Sequence, residues 1–384
     1  MATIKETGIR AVATPVQTGI SIIQYDAALE SVIGPKPTHA LVLSSAEGSA
    51  KPFFHHGCVY LPSRNELWTT SAPLAATDPT RPPTILMSKV IVTRDPHDDE
   101  TLTVEWAKVR PPPAMAMPAS GCALANDGMF WCSQGTEAPG TGGIFFMPMG
   151  RPPQPVAATY YGRDFNSPRS VAVSPRDAAI WFTDPCCGHE QGFRGAPQLP
   201  PQVYRCDTKT WEVRAVADGF VRPTGIAIDE GFKTLYVADA GGAGVDEELD
   251  LRQPRSIYAF DIMERQGSVF LANKRLFALA RQGAPMHLMC EGGNLLAAGG
   301  DGVEIWSAGG SLLGLIQVPG ELKRPPGSKA QRLPDANMNH GTGGVMSFCR
   351  GTEDSLFLCA GQRLWRLQLS GGLGQRPSSD PELL

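Results

Sequence analysis

Asn166-Ser167-Pro168-Arg169-Ser170-Val171-Ala172-Val173, running on through Ser174-Pro175-Arg176-Asp177 to Ala179-Ile180-Trp181-Phe182-Thr183-Asp184-Pro185, decides the reading of this 384-residue chain. Two short apolar runs flank a Ser-Pro-Arg-Asp turn, which predicts a β-hairpin. Its second half then recurs. Leu67-Trp68-Thr69-Thr70-Ser71, Phe130-Trp131-Cys132-Ser133-Gln134 and Leu235-Tyr236-Val237-Ala238-Asp239 share the shape. Leu295-Leu296-Ala297-Ala298-Gly299 and Leu356-Phe357-Leu358-Cys359-Ala360 are fainter copies. The central large residues at 68, 131, 181, 236, 296 and 357 are separated by 63, 50, 55, 60 and 61 positions. One such unit cannot bury its own apolar face, so six at this spacing imply neighbours stacked in a ring. The prediction is an all-β, six-bladed β-propeller.

Composition agrees. Hydrophobic residues make up 42% and charged ones 19%, enough for a large packed core. Gly 42 and Pro 34 suit many tight turns between short strands. A net charge of -4 gives no reason to expect nucleic acid or an anionic membrane as partner. The stretch Met1–Glu6 has no apolar signal region, and no run of 18 apolar residues occurs, so a cytoplasmic protein is the expectation. Nine scattered cysteines, several inside predicted strands, read as small buried hydrophobes in a reduced protein.

In chain order, 1–19 reads as a loosely held arm, 20–370 as the propeller and 371–384 as a Gly/Pro/Ser-rich flexible tail. Ile20–Tyr25 and Ala40–Leu43 are strand-like but far from the first repeat, so one of them is expected to complete the last blade. The blades fall at about 54–110, 119–162, 168–218, 223–280, 284–319 and 344–369. Acidic residues 246–250 form an insertion in blade 4, and a polar loop at 321–339 leads to blade 6.

Several phrases carry a resemblance. Phe165-Asn166-Ser167-Pro168 with Ile180–Pro185, Pro223-Thr224-Gly225-Ile226-Ala227 with Thr234–Asp239, and His55-His56-Gly57-Cys58-Val59-Tyr60-Leu61-Pro62 resemble the senescence-marker-protein/gluconolactonase/lactonohydrolase family. The resemblance covers about 20–370. It implies a six-bladed propeller with a divalent cation, usually calcium, at the mouth of the central channel, polarising a lactone or ester carbonyl. The family's ligands would fall on His56, near Ser120, on Arg169 with Ser170 (the Asn-Asp that usually follows Asn-Ser-Pro), on Thr224 and on Asp239. Only Asp239 keeps its expected type. A guanidinium cannot ligate a cation, imidazole nitrogen is disfavoured by calcium, and one carboxylate beside an arginine reads as a salt bridge. No metal and no other cofactor are therefore expected.

The candidate catalytic residues are His56, Arg169 and Asp239. Arg169 either faces the pocket or pairs with Asp239 or Asp184. Strand alternation allows only one of His55 and His56 into the channel; His56 is the choice and His55 reads as packed core. Ser120, Ser170, Asp184, Thr224, Met286, His287 and His340 are candidate substrate-binding residues, with Ser120 and Thr224 as donors to a carbonyl. Asp184 and Asp239 end equivalent strands and could instead bond turn amides. Cys186, Cys187 and His189 resemble a fragment of a zinc motif without its second ligand pair. No nucleophile elbow is legible.

Within the family, the lost ligands resemble the metal-free hetero-Diels–Alderases of fungal tropolonic sesquiterpene pathways. That resemblance implies dehydration of a hydroxymethyl tropolone or phenol to a quinone methide and its cycloaddition to a humulene-type alkene. The partners are then small polyketide-derived and terpene substrates. A calcium-dependent lactonase and a non-catalytic ligand-binding propeller are the alternatives.

Overall fold

Val171–Val173 and Ile180–Asp184 pair antiparallel, with Val171 opposite Phe182 and Val173 opposite Ile180. Ser174 shapes the turn between them. Its Oγ accepts the N–H groups of Arg176 and Asp177, and its own N–H donates to the Ala179 carbonyl at 2.8 Å. Such side-chain bonds to nearby amides favour turns over continued strand. Gln202–Cys206 and Val213–Ala217 complete a four-stranded antiparallel sheet, which is blade 3.

The computed structural model describes residues 9–13, 19–46, 49, 51–76, 82–95, 98–124, 128–243, 249–319, 344–352 and 354–370. Six such sheets stand around an axis. Their inner strands are Cys58–Leu61, Pro118–Leu124, Val171–Val173, Pro223–Ile228, His287–Glu291 and Ser347–Arg350. Each touches the next, and the sixth touches the first, so the ring is closed.

The core lies between blades rather than within them. Six apolar clusters each join two neighbouring sheets. Trp68 and Trp131 share one with Val59, Met87, Met129 and Phe145 between blades 1 and 2. Trp181 packs with Ile226, Val237 and Phe260 between blades 3 and 4. Because both faces of a second strand are covered, Ile180–Asp184 is buried throughout and polar residues there must find partners. Truncating a fully buried tryptophan such as Trp181 costs about 3–5 kcal/mol.

Thr38–Ser44 forms the outermost strand of blade 6, pairing with Arg363–Gln368 and setting Leu43 opposite Leu364. The earlier strand, Ser21–Gln24, joins blade 5 instead, as a fifth strand against Leu312–Gln317. Within the stretch read as a loose arm, Ile9–Ala13 is a strand that lies along Asp98–Val109 as the fifth of blade 1. Two short helices, Leu29–Ile33 and Cys187–Glu190, interrupt the all-β pattern. Leu29 and Ile33 plug the cluster between blades 5 and 6. The tail at 371–384, the 321–339 loop, His340 and most of the acidic insertion lie outside the described residues.

Candidate functional site

The segments leading into the inner strands of blades 1 and 3 bring His56 and Arg169 together. Thr70, in the second strand of blade 1, fixes the first of them. Its Oγ accepts the Gly57 N–H at 2.7 Å and donates to the Ala119 carbonyl of blade 2 at 2.8 Å. Gly57 is required there, since a Cβ would stand 2.6 Å from that same Ala119 oxygen. Thr183 holds the equivalent position in blade 3, where its Oγ accepts the Ser170 N–H at 3.1 Å. The Arg169 N–H donates to the Thr183 carbonyl at 3.0 Å.

These anchors aim two side chains at each other. Nη2 of Arg169 lies 3.0 Å from Nδ1 of His56, and both residues are 4% exposed. A guanidinium only donates, so His56 Nδ1 accepts and the imidazole carries its proton on Nε2. Burial, followed by the Arg169 charge, holds the His56 pKa well below 6.5, so the ring is neutral at physiological pH. Nη1 of Arg169 is buried without a hydrogen-bond partner among the described residues.

His55 is not segregated from the pair. Its Nδ1 lies 3.1 Å from that of His56, and the rings meet edge to face with centroids 4.3 Å apart. Strand alternation fails because both N–H groups point to one acceptor, the Thr70 carbonyl, before the regular strand starts at Cys58. Sequence reasoning read His55 as packed core and missed Thr70. The shared repeat position of Thr70 and Thr183 was the available signal for the latter.

The other candidates divide. Ser120 and Ser170 are buried with hydroxyls that have no partner among the described residues, so both can bond a ligand or water. Met286 packs with Ala240, Ala243, Ala284 and Met346. His287 sets its ring edge against Phe348 of blade 6 at 5.1 Å, and desolvation lowers its pKa to about 4.

Three expected roles are corrected. Asp239 is not a catalytic partner of Arg169: its carboxylate accepts N–H groups of Val221, Arg222 and Gly241 at 3.0, 2.8 and 3.2 Å. Asp184 likewise spends both oxygens on the amides of Asn166 and Ser167, at 2.9 and 2.8 Å. Burial pushes its pKa up to about 7, against the pull of those amides. Thr224 donates its hydroxyl to the Pro285 carbonyl at 2.9 Å, stitching blade 4 to blade 5 rather than serving a substrate. Acidic strand ends thus brace the loops that carry Arg169 and Arg222, and Arg222 in turn bridges to Glu190 at 2.7 Å.

The divalent cation implied by the resemblance does not fit these residues. The central position holds a guanidinium against an imidazole that touches a second one, while the carboxylates of Asp184 and Asp239 are turned to backbone amides. Among the described residues no group of three or more His, Cys, Asp or Glu could hold a metal ion, and this includes Cys186, Cys187 and His189. A cavity of about 90 Å³ is lined by Thr136, Asp164, Asn166, Cys186, His189 and Arg194 among others, and not by His56 or Arg169. Asn166 Oδ1, buried and without a partner among the described residues, belongs to its wall.

No protein-family model matches the chain. A lactonohydrolase of Aspergillus oryzae is 34% identical over 136 residues, 32% of this chain and 29% of that protein. A gluconolactonase of Zymomonas mobilis is 28% identical over 213 residues, 52% of this chain and 54% of that protein. The chain thus spans about a third and about half the length of these curated relatives. Among solved structures, a gluconolactonase from Xanthomonas campestris superposes with a TM-score of 0.65 at 21% identity, covering 94% of this chain and 100% of that one. The chain is a six-bladed propeller of gluconolactonase-like architecture. No helix among the described residues is long and apolar enough to cross a membrane.

Proposed function

We propose that this propeller is a metal-independent enzyme in which Arg169 polarises a carbonyl-type oxygen, serving a hetero-Diels–Alder cycloaddition. The partners are a tropolone- or phenol-derived o-quinone methide and a humulene-type sesquiterpene alkene. The observation that carries this reading is the Arg169–His56 contact. A neutral acceptor orients the guanidinium without cancelling its charge, and leaves Nη1 as a buried donor. A hydrogen bond to the quinone-methide oxygen makes the exocyclic carbon more electrophilic. The alkene then adds with formation of one C–C and one C–O bond, and no proton or electron passes to the protein. Such a reaction needs a donor and a held pose, not a nucleophile or base. His56 fits the first need only, because its basic nitrogen is committed to Arg169 and its pKa is low.

A second reading, lactone hydrolysis, is favoured by the stretches shared with a lactonohydrolase and a gluconolactonase. Arg169 would polarise the lactone carbonyl in the same way, but attack by water also calls for a base that is absent from the pair. The test is to incubate a quinone-methide precursor and a humulene-type alkene with the protein and with Arg169→Lys. Rate and diastereomer ratio are read by chromatography, beside hydrolysis of simple lactones. Faster, more selective cycloaddition by the unmodified protein alone is expected. Unchanged cycloaddition with rapid lactone opening moves the assignment to the hydrolase, and inactivity in both assays leaves a ligand-binding propeller.

A further inference from the structure

We propose that Cys58 and Cys349 form a reversible disulfide site at the seam where the ring of blades closes. Cys58 lies in the inner strand of blade 1 and Cys349 in that of blade 6. They are 291 positions apart, yet their Sγ atoms are separated by 3.2 Å. A bond of about 2.05 Å needs an approach of little more than about 1 Å, within the reach of χ1 adjustment. The surrounding backbone is firmly registered: the Phe54 N–H donates to the Gly361 carbonyl at 2.8 Å, bridging the same two blades.

The two thiols differ in access. Cys58 is 3% exposed among Phe54, Tyr60 and Phe357, whereas Cys349 is only partly buried. Burial also raises the Cys58 pKa well above 9.0, so its thiolate is scarce and its step is slow. Cys349 is therefore the entry thiol and Cys58 the resolving one. The co-reactant is a low-molecular-weight disulfide such as glutathione disulfide. The Cys349 thiolate attacks one sulfur of that disulfide, breaking its S–S bond and forming a mixed disulfide. One glutathione thiolate leaves and takes up a proton equivalent to the one Cys349 lost. The Cys58 thiolate then attacks Sγ of Cys349, the mixed disulfide breaks, and the second glutathione leaves as its thiol. Two cysteine thiols are oxidised by two electrons, and one glutathione disulfide is reduced to two thiols.

The outer rim of this seam is closed non-covalently, by the strand pairing and apolar packing of Thr38–Ser44 with Arg363–Gln368. A Cys58–Cys349 bond would close its inner rim covalently. A cross-link enclosing nearly the whole propeller restricts the unfolded chain strongly, which raises Tm by about 5 °C once strain is included.

The experiment exposes the full chain to glutathione disulfide for a day, then maps unreduced peptides by mass spectrometry and records Tm. A Cys58–Cys349 linked peptide lighter by two hydrogens is expected, with a Tm rise of about 5 °C that dithiothreitol reverses. Cys349→Ser and Cys58→Ala should each abolish link and shift, while Cys359→Ala keeps both. The proposal is overturned by the absence of a linked peptide, by a Cys58–Cys359 link instead, or by a Tm that does not rise on oxidation.

Discussion

Nη2 of Arg169 donates to Nδ1 of His56 across 3.0 Å, although the residues are 113 positions apart and sit on blades 3 and 1. The contact spans the channel mouth past blade 2. It fixes the imidazole tautomer, holds the guanidinium plane and adds to the burial that keeps the ring neutral. The consequences can be measured.

Replacing Arg169 tests the donor directly. Lysine keeps the charge but loses the planar fork, so it cannot bond His56 and present Nη1 together. Arg169→Lys and Arg169→Ala should both slow turnover by roughly 10²–10³-fold, the scale for losing one preorganised donor. Full activity in the alanine variant, with only a lower Tm, would make the residue purely structural.

Gly57→Ala should destabilise the protein by about 1–3 kcal/mol, as overpacking in a filled core does. The added Cβ meets the Ala119 carbonyl at 2.6 Å, and backbone cannot swing aside as a side chain can. Because His56 is the preceding residue, activity should fall together with the denaturant midpoint. Unfolding curves that superpose on those of the unmodified protein would contradict this.

Asp184 predicts a pH dependence. Its folded pKa of about 7 lies above the ordinary 3.8, so the folded state binds this proton more tightly than the unfolded chain. That contribution is complete below about pH 4 and is lost as pH rises to about 7. Asp184→Asn cannot titrate and loses one acceptor for the Asn166 and Ser167 amides. The stability gap between the two proteins should therefore shrink from pH 4 to 7, while effects of His56 and His287 cancel in the difference. A gap that widens over this range overturns the assignment.

Chelation offers an independent check on the donor set. Because Asp184 and Asp239 are spent on amides and Arg169 occupies the central position, EDTA should change neither Tm nor turnover. Stoichiometric calcium by elemental analysis, with a large chelator-induced drop in Tm, would refute this.

Much of the fold was legible because a propeller repeats locally. The large residue in each second strand marks a sheet buried on both faces, and Trp68, Trp131 and Trp181 stand between blades as that pattern demands. The closing strand was narrowed to two segments but not chosen. Both are apolar edges, and only the position of blade 6 beside blade 1 selects Thr38–Ser44. In the site, the family's ligand positions pointed to His56 and Arg169, which do meet, and also to Asp239 and Thr224, whose hydrogen bonds go to backbone groups.

The sequence by itself determined the number of blades, the order of their strands and the residue types available at the channel mouth. Those follow from short-range alternation and turn chemistry, repeated at intervals of 50 to 63 positions. Only the tertiary structure decided that Arg169 meets His56 rather than a carboxylate, that His55 joins them, and that Cys58 lies against Cys349. The Arg169–His56 and Cys58–Cys349 contacts join segments more than a hundred residues apart, while His55 is turned beside His56 by the backbone bonds both make to the Thr70 carbonyl. They exist because ring closure sets the distance between blades, and because buried amides claimed the aspartates first.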